Sequence, residues 1–376
     1  MKIIVDNKIP FLDGVLEAFA DVEYYPAMEI TSKVVKDADA LLIRTRTICD
    51  ENLLKESKIK FIATATIGFD HIDIEYCKRN GIEWTNAPAC NSDSVTQYIA
   101  SALIYLSKKY KFNFSNTTIG IIGVGNVGSR VSTLASLLGM KVLLNDPPRQ
   151  RKEGKGKYVS LKEIQKKADI ISFHVPLNKK GIDKTHHLFD EEFLSELNPD
   201  TIIINSSRGE VVVASVLKKA LLGNKIKACV LDVWENEPNI DQRLLDLVDI
   251  GTPHIAGYSI GGKVNGTLMS VQALSNFFGL GINEWMPESF SSLQIENIEI
   301  DCNGLTSQEL IAEAVLLTYD IKKDDLELRK SIQTFEQQRI NYPLRKEFSF
   351  FKISLLNDNN NNRRILNQMG FLIDKM

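Results

Sequence analysis

Residues Thr118–Pro147 read TIGIIGVGNVGSRVSTLASLLGMKVLLNDP, and this stretch decides the fold. A short apolar run ends at a pattern of three glycines, Gly123, Gly125 and Gly128. A helical pattern follows, and a second apolar run leads to Asp146. The order of strand, glycine turn, helix and strand is the setting in which G-x-G-x-x-G indicates a dinucleotide site. We therefore predict a Rossmann domain in this part of the chain.

The glycines and the acid also indicate which dinucleotide binds. The first glycine permits the tight turn, the second lets a pyrophosphate approach the backbone, and the third lets helix and strand pack closely. Asp146 ends the second strand, where its carboxylate can accept hydrogen bonds from both ribose hydroxyls. Because the extra phosphate of NADP would meet this negative charge, we predict NAD. Arg149 and Arg151 lie close enough in the chain to keep NADP as a minor alternative.

Composition bounds the classes of function. With 376 residues the chain is long for one domain, and its formal net charge of -3 comes without a basic stripe, which disfavours nucleic acid. Five scattered cysteines without metal spacing predict a reducing compartment and no metal site. The N-terminus does not read as a signal peptide, and no apolar run is long enough to span a bilayer. We expect a cytoplasmic protein without a membrane partner.

Short apolar runs alternate with helical segments along most of the chain, which predicts an α/β fold with parallel sheets. In the first 90 residues we expect helices at Asp13–Ala20, Asn52–Glu56 and Ile74–Arg79, and strands at Lys2–Val5, Ala40–Arg44, Phe61–Ala65 and Ile82–Trp84. From Thr118 onward we expect strands at 118–122, 141–145, 169–174, 201–205, 226–231 and 248–251. The tail from about residue 285 reads as a third, smaller α/β unit, with no residue in it that looks catalytic.

Three segments after the glycine pattern place reactive side chains directly behind an apolar strand. The carboxyl ends of parallel strands open on the same crevice, so these side chains can converge beside a bound nicotinamide. The segments are Asn205–Gly209, Leu231–Pro238 and Thr252–Tyr258, and their reactive side chains are Arg208, Asp232, Glu237 and His254.

Hydride transfer between a 2-hydroxy acid and NAD requires three kinds of group. The substrate carboxylate favours a planar bidentate cation, which Arg208 provides. A proton must move at the substrate oxygen, and His254 suits that role near neutral pH. Glu237 behind the imidazole would fix its tautomer and favour its charged form. Asp232 or Ser206 could hold the carboxamide. Taken alone, Arg208 could form a surface ion pair, Glu237 could cap a helix and His254 could be a buried structural histidine. Their common position at strand ends favours a catalytic role.

These motifs resemble the D-isomer-specific 2-hydroxyacid dehydrogenases. The resemblance spans about residues 1–280 and is carried by the glycine pattern and by Phe173–Leu177, Asn205–Gly209, Asp232–Pro238 and His254–Gly257. It implies substrate contacts at Thr45, Thr66 and Tyr258. It implies cofactor contacts at Asn126, Val127, Asp146, Val175, Ser206, Ser207, Arg208, Asp232 and Gly257. Since Val175 stands where many relatives have threonine, we expect only a backbone contact there.

A closer likeness within this family lies in LDVWENEPNI at 231–240, in DIGTPHIAGYSIGGKVNGT at 249–267 and in the tail. It implies a small phosphorylated hydroxy acid as substrate, and a homodimer to which the C-terminal domain contributes. The resulting division is a discontinuous, flavodoxin-like substrate domain of residues 1–92 and 258–284, an NAD-binding Rossmann domain of residues 93–257, and a C-terminal dimerisation domain of residues 285–376.

Basic residues are needed for the substrate's phosphate. Arg44 or Arg46, which flank Thr45, could provide the cation, and Arg345 and Lys346 are further candidates.

Two other functions remain open on sequence alone. One is a dehydrogenase for another small acid, such as glycerate, phosphoglycerate or lactate. The other is an NAD-sensing binding protein that keeps the same motifs.

Overall fold

The computed structural model describes residues 1–287, 294–343, 345–358 and 360–374. The chain forms two compact units, Met1–Asn91 with Ser259–Gln294, and Ser92–Tyr258 with Ile295–Met376. The predicted α/β class is confirmed, because every strand pairing among the described residues is parallel. Residues 288–293 of the predicted C-terminal domain lie outside the described residues, and the division into three domains stays a prediction.

The first unit contains one sheet in the order β2-β1-β3-β4-β5, the flavodoxin-like arrangement. Its central strands are buried along their whole length, as in parallel sheets covered on both faces. The strands are β1 (Lys2–Asp6), β2 (Asp21–Tyr25), β3 (Ala40–Ile43), β4 (Phe61–Thr64) and β5 (Glu83–Thr85). The helices are Ser32–Val35, Glu51–Leu54, Ile74–Arg79 and Ile260–Phe278, with a short 3₁₀ turn at Ala27–Glu29.

The second unit is built on a six-stranded sheet in the order β11-β10-β9-β8-β6-β7. Its strands are β6 (Thr118–Ile122), β7 (Lys141–Asn145), β8 (Ile170–Phe173), β9 (Ile202–Asn205), β10 (Ala228–Leu231) and β11 (Ile250–Gly251). The chain leaves β6 to one side for β7 and returns to the other side for β8. Ligands of open α/β sheets bind at such a switch point, at the carboxyl ends of the strands. The predicted bounds of β6 and β7 agree with the structure.

Helices cover both faces of this sheet and continue into the C-terminal segment, which adds a small sheet in the order β12-β13-β14. These strands are β12 (Glu296–Asp301), β13 (Phe351–Leu356) and β14 (Leu372–Ile373). The helices up to residue 258 are Ser92–Tyr110, Asn126–Leu137, Pro147–Glu153, Leu161–Lys167, Glu191–Ser195, Ala214–Leu222 and Gln242–Leu247. Those after residue 295 are Ser307–Thr318, Ile321–Lys330, Phe335–Ile340 and Asn360–Met369. The 3₁₀ turns of this unit are Phe114–Asn116, Lys155–Lys157, Gly209–Val211, Ile332–Thr334 and Phe348–Phe350.

The helix Ser92–Tyr110 joins the C-terminal segment to the sheet. It packs against Asn126–Leu137 on the sheet side and against Ser307–Thr318 and Ile321–Lys330 of the C-terminal segment. Tyr98 in this helix is fully buried, and its hydroxyl lies 2.7 Å from Thr252 Oγ1. The apolar core of the second unit therefore runs without a break from the sheet into the last part of the chain.

Two sequence predictions are wrong. The helix expected at Asp13–Ala20 is a series of turns, because Gly14 has φ +80°, a left-handed conformation that an α-helix excludes. The polar turn expected over residues 357–364 instead contains the start of a helix at Asn360. None of the helices in the described residues combines the length and the hydropathy that a bilayer crossing requires.

Candidate active site

The glycine loop between β6 and the helix Asn126–Leu137 has room for a pyrophosphate. Gly123 has φ +87°, and a Cβ there would come 2.5 Å from the carbonyl oxygen of His174. A Cβ on Gly128 would come 1.9 Å from the carbonyl oxygen of Gly123. A Cβ on Gly125 would meet no described atom within 4 Å. Gly123 and Gly128 are thus required by the packing of the protein itself. The open space beside Gly125 fits the approach of a phosphate.

The start of the helix Asn126–Leu137 suits the same group. Gly125 is its N-cap and provides no side-chain cap for the first N–H groups of the helix. Such groups bind anions, and the helix dipole adds to the attraction. Asn126 is exposed and Val127 is half-buried at this end, where the sequence predicts cofactor contacts.

Asp146 lies at the end of β7, as the sequence predicts for a ribose ligand. Its Oδ2 accepts a hydrogen bond from Val124 N at 2.8 Å, and its Oδ1 accepts one from Arg149 N at 2.9 Å. A carboxylate oxygen can accept a second hydrogen bond, so both oxygens retain capacity for ribose hydroxyls. The same carboxylate thereby fixes the glycine loop in place.

Arg149 and Arg151, the two residues that left NADP as an alternative cofactor, both form ion pairs with acidic side chains. Arg149 Nε donates to Glu153 Oε1 at 2.6 Å, and its Nη1 donates to the carbonyl of Val124. Arg151 forms an ion pair with Asp183. Because both guanidinium groups already have partners, the geometry favours NAD.

The loop after β9 is organised by Asn205. Its Oδ1 accepts hydrogen bonds from Ser207 N at 3.0 Å and Ser207 Oγ at 2.8 Å, and its Nδ2 donates to Arg208 O at 2.9 Å. The guanidinium of Arg208 donates to Ser207 O at 2.8 Å. Ser206 Oγ is buried without a partner among the described atoms. A buried hydroxyl of this kind calls for a polar ligand, and the carboxamide of the cofactor is one.

Asp232 ties the loop after β11 to the end of β10. Its Oδ1 accepts from Thr252 Oγ1 at 2.7 Å and from Ile255 N at 2.8 Å, and its Oδ2 accepts from Ala256 N at 2.9 Å. Burial raises the pKa of Asp232, although His254 and these donors act in the opposite direction. The carboxylate is therefore a structural support of the loop, and its predicted contact with the cofactor stays a prediction.

His254 and Glu237 form the pair that the sequence predicts. Glu237 Oε2 lies 2.8 Å from His254 Nδ1, and Glu237 Oε1 accepts from Trp234 N at 3.0 Å. The left-handed backbone of His254, with φ 57°, lets its N–H donate to Asp232 O at 2.7 Å. With Nδ1 directed at the carboxylate, Nε2 is the ring nitrogen left for a substrate hydroxyl.

A second contact of Glu237 was not predicted from sequence. Arg339, in the helix Phe335–Ile340, has only 7% of its surface exposed, and its Nη1 lies 4.0 Å from Glu237 Oε2. Its Nη2 donates to the hydroxyl of Tyr258 at 3.4 Å. Burial alone would raise the pKa of Glu237, but His254, then Arg339 and the amide of Trp234 together bring this pKa below its usual value. Glu237 is therefore ionised at neutral pH.

Other predicted contacts line the same end of the sheet. Val175 and Gly257 are half-buried in the loops after β8 and β11. His174 Nε2 lies 2.9 Å from Ser172 Oγ, and burial lowers the pKa of His174 to about 3. This imidazole is therefore neutral at physiological pH.

Arg345 and Lys346, two candidates for the substrate's phosphate, have other partners. Arg345 is buried and its Nη2 donates to Ala256 O at 2.6 Å and to Ser94 O at 3.1 Å. Lys346 Nζ lies 2.8 Å from Glu296 Oε1. The C-terminal segment thus holds the loop after β11 through Arg345.

In the first unit, Thr45 is exposed and Thr66 is half-buried, with its hydroxyl donating to Gly68 O at 3.0 Å. Burial, together with the charge of nearby Arg44, lowers the pKa of Lys263. The positive charges of Arg44 and Lys263 repel each other, and a bound anion would reduce that repulsion. Lys263 lies on the helix Ile260–Phe278, within the stretch 249–267 that carries the family likeness, although the sequence alone gives it no role.

Comparison with known proteins adds independent evidence. Residues 97–256 match the family described as D-isomer specific 2-hydroxyacid dehydrogenase, NAD binding domain. Residues 293–370 match a domain of unknown function (DUF3410). The first match confirms NAD as the predicted cofactor.

Whole-chain relatives give a closer assignment. An erythronate-4-phosphate dehydrogenase of Bacteroides fragilis is 50% identical over 94% of this chain and 99% of its own length. One of Photorhabdus laumondii is 40% identical over 99% of both chains. The solved D-lactate dehydrogenase of Aquifex aeolicus, in complex with NAD and lactic acid, aligns with a TM-score of 0.64 and 28% identity over 74% of this chain and 96% of that one. The chain belongs to the erythronate-4-phosphate dehydrogenase family, within the D-isomer-specific 2-hydroxyacid dehydrogenases.

Proposed function

We propose that this chain oxidises 4-phospho-D-erythronate to 2-oxo-3-hydroxy-4-phosphobutanoate with NAD, a step in the synthesis of pyridoxal 5′-phosphate. The observation that carries the proposal is the 2.8 Å contact between His254 Nδ1 and Glu237 Oε2, in the unit that also holds the glycine loop. The names of the relatives give the substrate.

The substrate's carboxylate is bound by Arg208, whose loop Asn205 holds in shape. A bidentate guanidinium contact fixes the plane of the carboxylate and so orients C2. Nε2 of His254 accepts the proton of the C2 hydroxyl while the C2 hydrogen leaves as hydride and the C2–O bond becomes a carbonyl. NAD held at the glycine loop and Asp146 would supply the acceptor for that hydride. The carboxylate of Glu237 stabilises the imidazolium that forms.

Cations around Thr45 are proposed to bind the substrate's phosphate, with Arg44, Arg46 and Lys263 as the groups. Replacing Arg46 with alanine should raise KM for 4-phospho-D-erythronate and leave KM for unphosphorylated D-erythronate unchanged. Lys58→Ala, which removes another exposed cation of the same unit, is the matched control. Equal effects on both substrates would remove Arg46 from the phosphate site.

The decisive experiment is a turnover assay with NAD and a panel of D-2-hydroxy acids. We expect 4-phospho-D-erythronate to give the highest kcat/KM, ahead of glycerate, 3-phosphoglycerate and lactate. A higher value for another acid would reassign the substrate. NADH binding without turnover of any acid on the panel would instead indicate an NAD-sensing protein.

We also propose a homodimer that forms through the C-terminal segment. That segment exposes several large apolar side chains, a feature of association surfaces, namely Ile295, Leu317, Leu326, Ile340, Leu356 and Leu372. Light scattering should give twice the chain mass of 42.3 kDa. Leu317→Asp should lower that mass, whereas Ile182→Asp, at an exposed apolar residue outside the segment, should not.

The proposed location is the cytoplasm. All five cysteines are free, and four of them are buried, as expected where thiols stay reduced. Fractionation of cells that express the chain tests this, with recovery in the soluble cytoplasmic fraction as the expected result.

A further inference from the structure

Three arginines of the C-terminal segment contact the part of the second unit that carries the proposed active site. Arg345 holds the loop after β11, as described above, and the other two, Arg329 and Arg339, differ in their contacts. Arg329 makes three close contacts, at 2.8 Å to Asp325 Oδ1, 2.6 Å to Leu245 O and 2.8 Å to Val248 O. These contacts satisfy its charge, and they explain it as a structural link between the segment and the sheet.

Within the described part of the chain, Arg339 has only long contacts. They are 3.4 Å to the hydroxyl of Tyr258, 3.5 Å to Glu336 Oε2 and 4.0 Å to Glu237 Oε2, and its buried Nε has no partner among the described atoms. A buried guanidinium that is poorly satisfied lowers stability, so anchoring the segment does not explain it. What its position does provide is a positive charge beside two residues of the proposed active site.

We propose that Arg339 is a positioning residue for the reaction, holding the carboxylate of Glu237 and the phenol of Tyr258 in the arrangement that the reaction uses. The inference rests on the proposed function, since Glu237 and Tyr258 have their roles there. It assigns a role in the chemistry to the segment whose family model is described as a domain of unknown function.

The first effect is on Glu237. This carboxylate is 17% exposed at its side chain, so the field of a guanidinium at 4.0 Å is only partly screened by water. A positive charge at this distance favours the ionised form. An ionised Glu237 is the form that stabilises the imidazolium of His254 during oxidation. Among the described residues, the charged and titratable groups that act on the pKa of Glu237 or Arg339 include His254, Asp232, Tyr258 and Glu336.

The second effect is on Tyr258, the predicted substrate contact. Its hydroxyl oxygen accepts from Arg339 Nη2, and the guanidinium carbon lies 5.9 Å from the centre of the phenol ring. An oxygen that accepts from a cation directs its own proton away from that cation. Arg339 thereby orients the hydroxyl of Tyr258, the group with the predicted substrate contact.

The first test is a titration of Glu237 in the full-length apo protein, followed by ¹³C NMR with carboxyl-labelled glutamate. The Glu237 signal is assigned by its loss in Glu237→Gln. The pH at which this signal is half-titrated should be higher in Arg339→Gln than in wild type. In Arg339→Lys this midpoint pH should return toward the wild-type value. Arg329→Gln is the matched control, because it removes a C-terminal arginine that contacts Asp325, Leu245 and Val248 instead of the pair. In this variant Glu237 should titrate at the same pH as in wild type.

The second test is the pH profile of kcat for 4-phospho-D-erythronate. In Arg339→Gln the acid limb should move to higher pH, and kcat measured on that limb should fall about tenfold, the factor that corresponds to one pKa unit. KM should rise as well, because the phenol is no longer oriented. Tyr258→Phe should raise KM and leave the acid limb in place, and Arg329→Gln should lower only the Tm.

The outcomes separate the two proposals. If Arg339→Gln lowers the Tm but leaves the Glu237 midpoint and the acid limb unchanged, Arg339 is only structural and the inference is overturned. If wild type oxidises no acid on the panel, the proposed function fails, while the NMR titration still tests the effect of Arg339 on Glu237. Should Arg339→Gln not fold, Arg339→Met, which keeps the buried apolar stem, takes its place.

Discussion

Two histidine–glutamate pairs share one loop and have different surroundings. Glu235 Oε1 lies 3.0 Å from His187 Nε2, and Glu237 Oε2 lies 2.8 Å from His254 Nδ1. Both histidines have φ 57°, and their side chains are 39% and 32% exposed. Distance, burial and backbone conformation therefore do not distinguish the two pairs.

The other partners of each carboxylate do distinguish them. Glu235 Oε2 accepts from Ala214 N at 2.8 Å, at the first residue of the helix Ala214–Leu222, which has no side-chain cap of its own. Glu237 instead accepts from Trp234 N and lies beside Arg339. Glu235 therefore supports the first turn of a helix. Glu237 holds the imidazole of His254 at the strand ends where Arg208 also lies. The comparison teaches that such a pair is identified by its surroundings rather than by its own geometry.

The largest expected effect is the loss of the imidazole. His254→Asn should lower kcat roughly 100- to 10,000-fold, because proton transfer contributes that much. NADH affinity, followed by fluorescence, should stay at the wild-type level. His187→Asn should keep kcat near wild type. Near-normal turnover in His254→Asn, or an equal loss in both variants, would contradict the assignment.

Next in size is the loss of the carboxylate. Glu237→Gln should lower kcat about 10- to 100-fold, since an opposite charge at this distance changes a pKa by one to two units. Glu235→Gln should leave kcat unchanged and lower the free energy of unfolding by about 1 kcal/mol through its helix contact. Steady-state kinetics and urea unfolding of both variants check this. A reversed pattern would exchange the roles of the two acids.

A smaller effect should separate two glycines of one loop. Gly125→Ala should fold with wild-type stability, because its Cβ has open space, but should bind NADH about tenfold more weakly where the pyrophosphate approaches. Gly128→Ala should lose about 1–3 kcal/mol of stability, because its Cβ meets Gly123 O. Titration with NADH and thermal unfolding measure the two quantities. If Gly125→Ala binds NADH normally, the cofactor does not use this loop.

The smallest effect is on stability against pH. The folded pKa of Glu237 lies below its usual value of 4.5, so the unfolded chain takes up this proton first as the pH falls. The contribution of Glu237 is then fully present above the unfolded pKa and is lost as the pH falls through the lower folded one. The difference in unfolding free energy between wild type and Glu237→Gln should therefore shrink on acidification. A gap that widens toward low pH would contradict the lowered pKa.

Sequence reasoning succeeded where one short stretch determines the structure. The glycine pattern, the strand pair β6–β7 and Asp146 all lie within thirty residues, so local rules on turns and burial suffice. The strand β2 was missed because Asp21–Tyr25 contains no apolar run, the pattern that marks its neighbours. It lies at the edge of the sheet and is only partly buried, so it does not need such a run.

The site shows the same limit. Strand ends indicated Arg208, Asp232 and His254 because the sheet brings its carboxyl ends together. Arg339 lies 81 residues along the chain from Tyr258, on a six-residue helix without a motif. Nothing local marks an arginine whose partners are determined by tertiary packing.

The contacts of Arg345 have a consequence for how the enzyme is made. This residue holds the carbonyls of Ala256 and Ser94, which precede it by 89 and 251 residues in the chain. The loop that carries His254 therefore lacks this anchor until Arg345 has been synthesised. A chain truncated before Arg345 should still bind the dinucleotide and should turn over substrate poorly.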